Sequence, residues 1–81
     1  LKVKNNLALL MVQKGIKSVS ELQRQLKDKG HPIARRTLDR FYNNDNNQIH
    51  YDTITAICHV LNCDIGELFS LVETDENDNK N

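Results

Sequence analysis

At 81 residues the chain holds one small domain, which at this size buries only about 60–65% of its unfolded surface and leaves little room for a cofactor cavity, so a large enzyme is excluded. With 38% apolar and 27% charged residues it can build a helical core, and no apolar run nears the roughly 20 residues of a membrane span. The formal net charge is zero, yet residues 1–44 carry ten Lys and Arg against three acidic residues (+7), and residues 45–81 carry eight acidic residues against Lys80 (−7); the split suits a basic face turned to a polyanion with an acidic end turned away, and equally a bipolar surface with no partner.

Apolar positions recur at helical spacing along the chain. In the first segment Val3, Leu7, Leu10 and Met11 line one face, and Gly15 stops the helix. The run Ser18-Val19-Ser20-Glu21 has a capping-box pattern, with Ser18 as N-cap of a second helix whose inner face is Val19, Leu22 and Leu26. Asp28, Lys29 and Gly30 interrupt it, and Pro32 forbids smooth continuation. A third helix fits residues 34–43, with Ala34, Leu38 and Phe41 inward. Residues 43–47 form an Asn-rich loop. A fourth helix fits Tyr51–Leu61, with Ile54, Ile57, Cys58 and Leu61 inward and Asn62 as its stop. Asp64 and Glu67 form a second capping box. It opens a fifth helix with Ile65, Leu68, Phe69 and Val72 inward. Period-two alternation is nowhere sustained, so strands are not expected. The expectation is an all-α, compact five-helix bundle over residues 1–72, followed by a disordered acidic tail over 73–81.

The third helix carries the chemistry. At 100° per residue, Arg36 and Arg40 point nearly opposite to Ala34, Leu38 and Phe41. Arg35 lies at the flank with Asp39, where an i,i+4 ion pair is the plain alternative. Arginine offers a planar donor fork that takes guanine's two major-groove acceptors or clamps a phosphate.

A capped helix, a turn, a basic short helix, a polar loop and two closing helices follow in that order. The sequence resembles the phage-repressor (Xre/Cro) family of helix-turn-helix DNA-binding domains over about residues 3 to 72. Ser20-Glu21-Leu22 resembles the opening of that family's second helix. Arg35-Arg36-Thr37-Leu38-Asp39-Arg40-Phe41-Tyr42-Asn43-Asn44 resembles its recognition helix and loop. Asp52-Thr53-Ile54-Thr55-Ala56-Ile57-Cys58 and Leu61-Asn62-Cys63-Asp64-Ile65-Gly66-Glu67-Leu68-Phe69 resemble its closing pair. The resemblance implies a lambda-repressor-like fold and a sequence-specific regulator of transcription, with repression as the expected sign. It implies base-reading roles for Arg35, Arg36 and Arg40. It implies DNA-backbone contacts for Lys17, Ser18, Ser20, Thr37, Asn43, Asn44 and Asn47.

Four departures stand out. The turn over residues 27–33 is longer than the family's, so helix two gains a turn. Gln23 stands in place of a small alanine. Ala34 replaces a hydroxyl cap, so helix three frays at its start. Val19 stands where relatives are often polar.

The expected partners are double-stranded DNA and, because one domain reads only a half-site, a second copy of the chain. Leu71, beside Phe69 and Val72, is the expected docking point for that copy. The rival reading is a protein-interaction module on the same fold, a modulator of a repressor or an antitoxin, that binds DNA weakly or not at all. The neutral total charge, the Asn loop without cations, Asp39 and the long turn favour it. A third reading, a metal or redox sensor through Cys58 and Cys63, ranks last, because their spacing does not fit the common paired-ligand zinc sites and Cys58 reads as a core residue. His31 and His50 read as plain loop surface, and Tyr42 and Tyr51 as edges of the core. No spacing suggests catalysis, and no enzyme activity, cofactor, metal or membrane is expected. Two cysteines make no disulfide framework, so the expected location is the cytoplasm of a bacterium or of a phage-infected cell, at DNA.

Overall fold

A computed structural model describes residues 1–45 and 48–73. The elements run β1 (Lys2–Asn5), α1 (Leu7–Gln13), α2 (Val19–Asp28), α3 (Arg35–Tyr42), α4 (Tyr51–Leu61), α5 (Ile65–Leu68) and β2 (Phe69–Val72). The five helices lie where apolar spacing puts them, and the fold class is the expected small helical globule. Among the described residues no helix is long and apolar enough to cross a membrane. The acidic tail, apart from Glu73, lies outside the described residues.

One stop signal recurs at four helix ends. Gly15 (φ 75°), Gly30 (φ 84°), Asn44 (φ 57°) and Asn62 (φ 53°) take the left-handed conformation after α1, α2, α3 and α4. Glycine and asparagine are the residues that adopt it at least cost. At each end the next residue's N–H turns back to a carbonyl five positions earlier: Ile16 to Met11 at 2.9 Å, His31 to Leu26 at 2.8 Å, Asp45 to Arg40 at 2.9 Å and Cys63 to Cys58 at 3.0 Å. These are Schellman closures, which satisfy helix-end carbonyls and bring residues i and i+5 side by side.

Helix starts are less uniform. The Ser18 hydroxyl accepts the Glu21 N–H at 3.1 Å, while Glu21 reaches back to the Lys17 N–H at 3.4 Å rather than to that of Ser18. At α5 the Glu67 carboxylate accepts the Asp64 N–H at 2.9 Å. Ala34 gives α3 no side-chain cap.

The core is Leu7, Leu10, Met11, Ile16, Leu22, Leu26, Leu38, Phe41, Ala56, Ile57, Leu61 and Leu68. α3 packs between α2 and α1, and α4 rests on α2 and α5. Phe41 and Phe69 meet edge to face, with ring centroids 5.9 Å apart. Four residues assigned to inner faces lie outside the core: Val72 is half buried and Ala34 exposed, Ile65 is 59% exposed and Val3 is 62% exposed. Tyr51 does not pack on the core edge either, being 86% exposed at the first position of α4.

Two expectations need correction. The first helix does not include Val3, and the fifth ends at Leu68. The flanking residues instead form an antiparallel pair of strands, with Lys2 opposite Val72, Val3 opposite Leu71, Lys4 opposite Ser70 and Asn5 opposite Phe69. Asn5 is the physical reason at the first end. It is buried, its side-chain oxygen accepts the Leu7 N–H at 3.0 Å and its amide donates to the Phe41 carbonyl at 2.6 Å. The helix therefore starts after Asn6, whose own N–H donates to the Leu68 carbonyl at 2.7 Å. Asn5→Ala is expected to lower stability by about 2–4 kcal/mol, since a buried carbonyl and a helix-start N–H lose their partner together; urea unfolding, with Ala substituted for the exposed Asn43 as comparison, measures it.

Candidate nucleic-acid interface

The orientation of α3 follows from its two buried residues. Leu38 and Phe41, three positions apart, are 0% and 2% exposed. That leaves Arg35, Arg36 and Arg40 on the opposite, exposed side. Arg40 lies in the last turn, where its charge complements the helix dipole. Arg35 and Arg36 occupy the first turn, where the dipole is positive and no acidic residue offsets it. Like charge there costs about 0.3–1 kcal/mol per residue. With no cap at Ala34, bare N–H groups and two guanidinium groups share one helix end.

The arginines differ in what holds them. Arg35 donates from Nε to Asp39 at 3.1 Å, with both side chains half exposed, and from Nη1 to the Ser20 hydroxyl. It ties the start of α3 to the start of α2. An exposed i,i+4 pair contributes only about 0.3–0.5 kcal/mol, so a competing anion displaces it cheaply. Arg40 donates to the Asp45 carbonyl at a long 3.4 Å. Among the described residues Arg36 makes no hydrogen bond. Arg36, Thr37 and Arg40 line one cleft with Gln48, Ile49 and His50, just before α4, and with Thr53 in its first turn.

The backbone-contact candidates fall into three groups. Lys17, Ser18 and Ser20 are exposed at the start of α2, with the Ser18 hydroxyl already capping that helix and the Ser20 hydroxyl engaged by Arg35. Thr37 is half buried in the cleft. Asn43 is exposed at the end of α3. The Asn44 side chain instead serves the fold: its oxygen accepts the Asn5 N–H at 2.8 Å and its amide donates to the Asn5 carbonyl at 3.3 Å. Asn47 lies outside the described residues.

The long turn between α2 and α3 is held at two points the linear sequence does not reveal. The Gln23 amide donates to the Ile33 carbonyl at 3.0 Å. His31 Nε2 meets His59 Nδ1 of α4 at 3.1 Å. Ring centroids 5.3 Å apart mean the two imidazoles approach nearly end to end. That is the geometry of an N–H···N hydrogen bond, not of two lone pairs converging on an ion. α2 extends to Asp28. Among the described residues no three His, Cys, Asp or Glu side chains gather as a metal site.

Sequence reading missed Gln48, His50 and Thr53 as cleft residues. The available signal was their place at the N-terminal end of α4, where free N–H groups attract anions.

A family model of the Cro/C1-type HTH DNA-binding domain matches residues 6–74. No curated protein and no solved structure matches the chain.

Gln23→Ala is expected to cost about 1 kcal/mol by freeing the turn, whereas Asp39→Ala changes stability by less than about 0.5 kcal/mol. Urea unfolding of the two variants side by side checks both.

Proposed function

The chain belongs to the Cro/C1-type helix-turn-helix DNA-binding domains, and on that footing we propose that it is a sequence-specific regulator that reads the major groove with the outer face of α3. The observation that carries this reading is the first turn of α3. Two arginines at the positive end of an uncapped helix weaken the helix and offer a concentrated cationic surface. Such a breach of local rules is expected where a binding partner compensates it.

In this reading Arg36 and Arg40 contact base edges. Arg35 exchanges Asp39 for DNA at small cost. Lys17 and the start of α2 meet the phosphate backbone, where free helix N–H groups and the dipole favour an anion. Thr37 and Asn43 flank the same strand edge. A domain seated this way covers the groove it reads, so repression by occupancy is the simplest output. A second copy extends the half-site to an operator, and exposed Val3 and Leu71, cross-strand neighbours on the small sheet, give it an apolar surface to dock on.

Titration of a duplex at several salt concentrations tests the reading. With six phosphates neutralised, log K falls against log salt with a slope of about −5; a flat response removes DNA as the partner. Arg36→Ala and Arg40→Ala are each expected to flatten sequence preference, losing about 1–3 kcal/mol of discrimination. Lys17→Ala is expected to weaken all sequences alike and to reduce the slope by about one.

A further inference from the structure

The Schellman closure of α4 differs from the other three in what it juxtaposes. Asn62 holds φ 53° and ψ 52°; its N–H donates to His59 at 3.3 Å, and the Cys63 N–H donates to the Cys58 carbonyl at 3.0 Å. The motif characteristically brings its residues i and i+5 into side-chain contact. At α1 those residues are Met11 and Ile16, both in the core. At α4 they are Cys58 and Cys63. Both are free thiols, half buried and packed against the core.

The backbone bond limits how far apart they stand. The path from Cys58 Cα through its carbonyl oxygen to Cys63 N and Cα caps the Cα separation at about 6.9 Å, and every bend in it shortens that. Disulfide-linked residues span roughly 4.4–6.8 Å. The thiols also feel each other: burial, then the Cys58 thiol beside it, pushes the Cys63 thiol up to about 11. The pair stands at the far end of α4 from the cleft that holds Arg36 and Arg40.

We propose that Cys58 and Cys63 form a dithiol modification site that closes to an intrachain disulfide by exchange with a small-molecule disulfide. The Cys58 thiolate attacks one sulfur of oxidised glutathione; that S–S bond breaks and one glutathione leaves, taking a proton from solvent. Cys63 then gives its proton to water, and its thiolate attacks Cys58 Sγ. The mixed disulfide breaks and the second glutathione leaves as the thiol. Two protein thiols are oxidised while one glutathione disulfide is reduced to two glutathiones. Because Cys63 is mostly protonated at neutral pH, the second step speeds up as pH rises toward the pKa of the attacking thiol.

Intact-mass measurement of the full chain in glutathione redox buffers, after acid quench and thiol alkylation, tests this. The wild type is expected to lose about 2 Da and to resist alkylation, running as a monomer on a non-reducing gel, while Cys63→Ser and Cys58→Ser each take one glutathione of about 305 Da. The transient mixed disulfide of the wild type should resolve faster at pH 9 than at pH 8. A wild type that holds two glutathiones, forms disulfide-linked dimers, or stays fully alkylatable at the oxidising limit overturns the proposal.

Discussion

The burial of Leu38 and Phe41 is the constraint on which the rest of the molecule depends. α3 has eight residues, too few to hold a helix alone in water. It is helical because those two side chains are removed from water, each contributing about 1.5–3 kcal/mol. Rotating the helix by half a turn would exchange them for guanidinium groups, and burying an unpaired charge costs far more than burial of a leucine gains. Two apolar residues three apart therefore fix where three arginines point. α2 on one side and α1 on the other complete the seat, and Phe69 of β2 meets Phe41 from below.

Two other helix starts obey local rules, while α1 and α4, like α3, have no N-cap side-chain bond. α2 has a hydroxyl cap and an acidic residue in its first turn, and α5 has Asp64 and Glu67. α3 has neither, and sets cations where anions belong. This contrast within one chain is more telling than the count of arginines, because exposed arginines are common and a cationic, uncapped helix start is not. The link between Arg35, Asp39 and Ser20 contains part of that strain while no partner is bound. It also couples the two helices whose relative angle decides how a groove is met.

Much of the fold could be read from the residues. Each left-handed stop is a glycine or asparagine at a place where apolar spacing breaks, and each capping box preceded a real helix. What escaped was of two kinds. The strands have four residues each, too short for alternation to be visible, and each was absorbed into a neighbouring helical pattern. The other kind was contact between distant residues: Asn5 with Phe41 and Asn44, Gln23 with Ile33, His31 with His59. Spacing along the chain says nothing of partners 10 to 39 residues away. The candidate interface was legible because it lies on one helix, where periodicity fixes faces. Its outer part, Gln48, His50 and Thr53, was not, because it arrives from α4 and the segment before it.

The most direct test of the account is a backbone-amide NMR map of the chain with a random-sequence duplex at low salt. The predicted result is shift changes concentrated at residues 18–20, 35–40 and 48–53, the start of α2, the body of α3 and the start of α4. Changes confined to α1 and the two-stranded sheet, or no changes at all, would contradict it.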